Sequence, residues 1–210
     1  YLEKVRDVWV RMVAALSPHE QVYLLVNDGA ARTEVAARLN GAKAAMANVT
    51  LLEIPTVDVW MRDYGPTFVT RHAADRPLAC NDWIFNGWGG KYLMDGDQEI
   101  GAELAESAGL PIASADWVLE GGALDCDGTG LVVTTEQCFL NPNRNPHLTR
   151  SGIEGRLGRD LGFERILWLG DGLINDHTDG HVDNLARFVA PNVLALPRAT
   201  GADDPNAAIY

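Results

Sequence analysis

The densest group of chemically capable side chains is Asp176-His177-Thr178-Asp179-Gly180-His181-Val182-Asp183, with three Asp and two His in eight positions. Packing rarely calls for such density, because ionised Asp is almost never buried unpaired. Two chemistries compete for it. In one, His181 is a general acid/base and Asp183, two residues on, faces the same side of a strand and holds a cationic substrate. In the other, His177 and His181 join Asp176, Asp179 and Asp183 around Mn or Zn, metals that suit imidazole and carboxylate. A polar loop of Asp caps is the bland alternative. Gly180 and the apolar run after it argue against that loop, since they aim these side chains at one place.

Three other segments bear on the same chemistry. Asp63 stands two residues before Gly65-Pro66, close to Trp60, and a carboxylate beside an indole suits a guanidinium or amine. The alternative there is an Arg62–Asp63 ion pair with Trp60 in the core. Glu120 precedes Gly121-Gly122 at the end of an apolar run, where backbone approaches closely, and could orient a catalytic His. A turn Glu in solvent is the competing reading. Phe85-Asn86-Gly87-Trp88-Gly89-Gly90 lacks the Lys-Ser/Thr of a P-loop and the spacing of a dinucleotide fingerprint, so it reads as a pocket wall.

Two patterns mislead. Asp125, Asp127, Thr129, Gly130 and Glu136 nearly fit an EF-hand loop. The β-branched run Leu131–Thr135 follows where a helix should be, so Asp127-Gly128 reads as a hairpin turn and not as a calcium site. The three cysteines, Cys80, Cys126 and Cys138, have no cationic or helix-N-terminal surroundings that would make a nucleophile.

The elements that position these residues alternate. Leu2, Val5, Val8, Trp9, Met12, Val13 and Leu16 give an amphipathic helix over residues 1–16. A strand over 21–26, a helix over 31–39 and a strand over 49–54 follow, which argues an α/β class. Gly65, Gly122 and Gly180 then each precede β-branched runs, at spacings of 57 and 58 residues. Such a period suggests repeated units, each a strand pair, a helix and another strand, with the helices over 100–109 and 153–161. No low-complexity linker divides the chain, so residues 1–210 read as a single domain.

The 210 residues hold 17 Lys+Arg against 29 Asp+Glu, a formal charge of −12. That balance argues against a nucleic-acid binder and is compatible with a cationic small substrate. No window reaches the ~20 apolar residues of a membrane span, and no signal peptide is visible. An odd cysteine count without a CxxC pair favours a reducing cytoplasm. The chain starts at Tyr1 and stops at Tyr210, within an expected helix after Pro205. Both ends read as cut, and a segment of a longer protein is expected.

Taken together, residues 59–69, 85–90, 120–146 and 179–189 resemble, in order, the agmatine deiminase family, which includes bacterial peptidylarginine deiminases. The resemblance implies the pentein fold, an α/β-propeller of five ββαβ units around a pseudo-fivefold axis, of which this chain would hold about three and a half. It implies hydrolysis of a guanidinium group, agmatine to N-carbamoylputrescine and ammonia, through a Cys-bound intermediate and without metal or cofactor. By match to the family's motifs, Asp63 and Asp183 grip the guanidinium nitrogens. His181 protonates departing ammonia and then activates water, and Glu120 holds that imidazole. Trp60 and Trp88 line the pocket, and Asp179 counts among the substrate-binding residues. Small guanidines are the implied partner, agmatine first, with peptidyl-arginine as alternative; a homo-oligomer is left open.

The family's nucleophilic Cys lies C-terminal to all of this, so the chain as given is expected to be inactive. His177 departs from the carboxylate or apolar residue more usual there. A metal-dependent ureohydrolase and a guanidinium-binding module without turnover are the competing functions.

Overall fold

Helical spacing of apolar residues produces α1 over Leu2–Leu16, whose buried residue is Val13, while Val8, Trp9, Met12 and Leu16 stay exposed. The computed structural model describes residues 1–71, 75, 77–201 and 203–210. Its described residues fall into two compact units, Tyr1–Val57 and Asp58–Tyr210.

In the first unit β1 (Val22–Val26) leads into α2 (Gly29–Gly41) and β2 (Val49–Glu53), with β1 and β2 parallel. Asp28 caps α2, its carboxylate accepting from the Ala31 N–H at 2.7 Å. Val13, Leu39 and Ala44 form the core, with Leu24, Val35 and Val49 packed against it.

The second unit repeats one pattern. After the single turn α3 (Met61–Tyr64), β3 (Thr67–Thr70) pairs antiparallel with β4 (Leu78–Ile84). The single turn α4 (Gly87–Gly90) and α5 (Ile100–Ser107) then lead to β5 (Ile112–Val118), parallel to β4. The pattern recurs with β6 (Asp125–Cys126) antiparallel to β7 (Leu131–Thr135), then α6 (Glu136–Phe139), α7 (Arg150–Leu161) and β8 (Arg165–Leu169), parallel to β7. A third antiparallel pair, β9 (Arg187–Ala190) and β10 (Val193–Ala195), follows. The 57–58-residue period therefore corresponds to ββαβ units.

Ile153 and Leu157, four residues apart on α7, lie fully buried against Trp83, Trp117, Val132 and Phe139, so one core joins both units of the pattern. Thr149 caps α7 at its start, and Gly162, at φ 73°, ends it in the left-handed conformation.

Two expectations need correction. Asp183 lies on no strand: Val182–Asn184 form a 3-10 turn, and β9 begins only at Arg187. The helix expected after Pro205 is a set of turns, with Ile209 N–H bonded to the Asn206 carbonyl at 2.8 Å. The hairpin turn expected at Asp127-Gly128 is present between β6 and β7: the Asp127 carboxylate accepts the Thr129 N–H at 2.8 Å, and Glu136 pairs with Arg150. Among the described residues no helix is long and apolar enough to cross a membrane.

Candidate active site

Each antiparallel pair is entered through a tight turn, and those turns carry the candidate site residues. Asp63 sits in α3, Glu120 immediately before the 3-10 turn Gly121–Ala123, and His181 immediately before the turn Val182–Asn184. The repeat thus brings candidate site side chains from each unit to a common place, the third turn supplying both His181 and Asp183.

Asp63 is buried, with its two carboxylate oxygens each accepting one bond: Oδ1 from the Gly122 N–H at 2.8 Å and Oδ2 from the Trp88 indole N–H at 3.0 Å. The Arg62–Asp63 pair weighed on sequence grounds does not form. Arg62 instead donates to the Leu124 carbonyl at 2.8 Å and sets its Nε 3.4 Å from Asp183 Oδ2. Trp60 is 59% exposed, so it is not a core residue; it lies at the wall of a cavity of about 550 Å3 that Asp63, Trp88, His181 and Asp183 also line.

Glu120 is only 1% exposed, which overturns a solvated turn Glu. His181 Nε2 lies 2.8 Å from Glu120 Oε2, and His181 Nδ1 faces Asp63 Oδ1 at 3.8 Å. Burial alone would lower the His181 pKa. The bond to Glu120 and the charges of Asp63 and Asp183 outweigh burial and raise it above its ordinary value. Burial likewise opposes the charge on Glu120, yet its bond to His181 and the Arg144 cation hold its pKa low. Asp183 is half-buried; burial, with Asp63 nearby, pushes its pKa up against the pull of His181 and Arg62. A cation placed between Asp63 and Asp183 would relieve this strain.

Gly122 explains how these groups come so close. A Cβ there would fall against His181 Nδ1, 2.7 Å from Asp63 Oδ1 and 2.9 Å from Asp183 Oδ2. Only a residue without a side chain lets these three side chains approach the backbone so closely. Gly122→Ala is expected to destabilise the protein by about 1–3 kcal/mol through overpacking, read by denaturant unfolding.

The acidic run 176–183 does not converge on one ion. Asp176 accepts backbone N–H groups of Thr178, Gly180 and His181 at 3.0–3.1 Å and so shapes its own loop. Asp179, a candidate substrate contact, pairs with Lys91 and Arg144, both at 2.6 Å, and is not among the cavity-lining residues. His177 Nδ1 lies 2.6 Å from the Tyr92 hydroxyl. Among the described residues, the ligand-type group with metal spacing is Glu120, Cys138 and His181. Its donors are already committed: Glu120 carries Arg144 and His181, and burial with the Glu120 charge holds the Cys138 thiol protonated. Cys138 is therefore no nucleophile, as its apolar neighbourhood in the sequence suggested.

Arg144, Asn143, Lys91 and Tyr92 were not identified from the sequence. Arg144 stands in an Asn-Pro-rich loop, and a buried Arg requires carboxylate partners, but nothing local says which.

Known proteins share this arrangement of chain. Residues 1–210 match the family described as Porphyromonas-type peptidyl-arginine deiminase. The agmatine deiminase of Pseudomonas syringae pv. tomato is 42% identical over 182 residues, 81% of this chain and 48% of that protein. A solved agmatine deiminase of C. jejuni, with substrate bound, aligns at TM-score 0.87 and 30% identity over 100% of this chain and 60% of that one. An Enterococcus faecalis agmatine deiminase structure gives TM-score 0.84 and 32% identity over 97% and 55%. The chain spans 57% of the length of two Legionella pneumophila relatives that cover 98% of it. It therefore belongs to the family of agmatine deiminases and Porphyromonas-type peptidyl-arginine deiminases.

Proposed function

We propose that this chain is the substrate-holding and acid–base part of a guanidine deiminase, and that the complete protein converts agmatine and water to N-carbamoylputrescine and ammonia. The observation that carries the reading is the convergence of Asp63, Asp183 and the Glu120-bound His181 on the space in front of Gly122. Two carboxylates match the planar fork of a guanidinium and keep it charged. Trp60 and Trp88 flank its apolar stem.

In the proposed reaction a thiolate from outside this chain bonds to the guanidinium carbon. The C–N bond breaks, and His181 gives its proton to the departing ammonia. Water then loses a proton to His181 and bonds to the same carbon, and the C–S bond breaks to return the thiolate while the remaining hydroxyl proton passes to solvent, leaving the neutral ureido product. A pentein propeller, with the ββαβ units set around a pseudo-fivefold axis, is the architecture we propose for the complete protein. We place it in the cytoplasm, in putrescine formation, a reading that rests on free cysteines and on the substrate.

The test is turnover by the complete native protein of agmatine, peptidyl-arginine and free arginine, read as ammonia and ureido product. Agmatine is expected to be preferred. Preference for peptidyl-arginine would reassign the substrate. Loss of turnover with a chelator, or no turnover of any guanidine, would overturn the reaction.

A further inference from the structure

Behind His181, on the side away from Asp63, a line of alternating charges runs outward: His181, Glu120, Arg144, Asp179, Lys91. Arg144 is its centre. Its side chain is 1% exposed. Nε donates to Glu120 Oε1 at 2.8 Å, and one terminal nitrogen donates to Glu120 Oε2 at 3.1 Å and to the Thr178 carbonyl at 2.8 Å. The other donates to Asp179 Oδ2 at 2.6 Å and Asn143 Oδ1 at 2.9 Å. Five N–H groups thus meet five acceptor contacts, so the guanidinium has no freedom to turn. Asp179 spends its other oxygen on Lys91, and the Asn143 amide also donates to Asp179 at 2.9 Å. Gly89 makes room: a Cβ there would strike Asn143 and Arg144. None of Arg144, Asp179, Asn143 or Lys91 lines the cavity.

We infer that Arg144, locked by Asp179 and Lys91, is a positioning residue for the acid–base step. It fixes Glu120 so that Oε2 accepts from His181 Nε2, which leaves Nδ1, the nitrogen facing Asp63 and the cavity, as the atom that gives and takes the proton. This rests on the deiminase reading and assigns to that site three residues that never touch substrate.

The charges facing His181 are Glu120, Asp63 and Asp183, with Arg144 beyond Glu120 and the Cys138 thiol 3.7 Å from Glu120 Oε2. Removing Asp179's charge leaves Arg144 with Glu120 as its one carboxylate partner among the described residues, so that more of Glu120's charge answers to Arg144 and the imidazolium is disfavoured. Removing Lys91's charge does the reverse, because Asp179 then answers to Arg144 alone. A chain that merely holds the loop together would not give opposite signs.

The experiment compares Asp179→Asn and Lys91→Met in the complete native protein, following kcat against pH and, without substrate, the His181 imidazole by NMR titration. Asp179→Asn is expected to move the basic limb and the imidazole titration down by about half a pH unit, and Lys91→Met to move both up by a smaller amount. KM for the guanidine should stay within about twofold in both, since neither residue lines the cavity. Displacements that are absent, or in the same direction for both variants, overturn the inference. The NMR arm needs no turnover, so failure of the proposed reaction leaves a separate signature: no product from the unsubstituted protein.

Discussion

His181→Ala is expected to lower kcat of the complete protein by about 10²–10⁴-fold, the range for a general acid/base, with the fold intact. The fold should survive because Glu120 keeps Arg144 at 2.8 Å when the imidazole is gone, so no buried charge is orphaned. The check is steady-state kinetics beside a melting curve. An enzyme that lost less than tenfold would not be using this imidazole to move protons.

The pH dependence has a defined sign. The folded His181 pKa lies above its ordinary 6.5, because Glu120, Asp63 and Asp183 together outweigh burial. A group raised on folding contributes stability in full below its unfolded pKa, and that contribution is lost as pH rises through the folded value. In the proposed reaction ammonia departure needs the imidazolium, so it is expected to weaken across the same window. Glu120→Gln removes a principal source of the rise, so it should move the basic limb of kcat to lower pH. An unmoved limb would mean another group sets it.

Asp63→Asn is expected to reduce kcat/KM about 30-fold to several-thousand-fold, the effect of removing one partner of a buried charge pair, 2–5 kcal/mol. The replacement is nearly isosteric, but both carboxylate oxygens face donors, the Gly122 N–H and the Trp88 indole. An amide NH2 group must therefore face one of them. Calorimetry of guanidine binding separates loss of affinity from loss of chemistry, and unchanged affinity would rule out Asp63 as a guanidinium ligand. Asp183 adds a pH arm. Its carboxyl is raised by burial and by Asp63, so binding of a cation should weaken as pH falls through that raised value, sooner than an ordinary Asp would allow.

Several features were legible in the sequence because they are local. Helical spacing located α1, β-branched runs located β3, β7 and β9, and the glycines at 65, 122 and 180 marked the turns that carry Asp63, Glu120 and His181. Motif order pointed to the family. What only tertiary structure decided was the partner of each charge. Glu120 reads alone as a solvated turn residue; it is buried because Arg144 and His181, 24 and 61 residues away, reach it. Asp179 reads as a substrate ligand beside His181, but its backbone, at φ 61°, and its ion pairs with Lys91 and Arg144 commit it elsewhere. Asp183 reads as a strand residue and sits instead in a 3-10 turn. Periodicity and turn chemistry act over a few residues and are written in the sequence. A buried charge takes whichever opposite charge the fold brings within about 3 Å, and no local pattern records that distance.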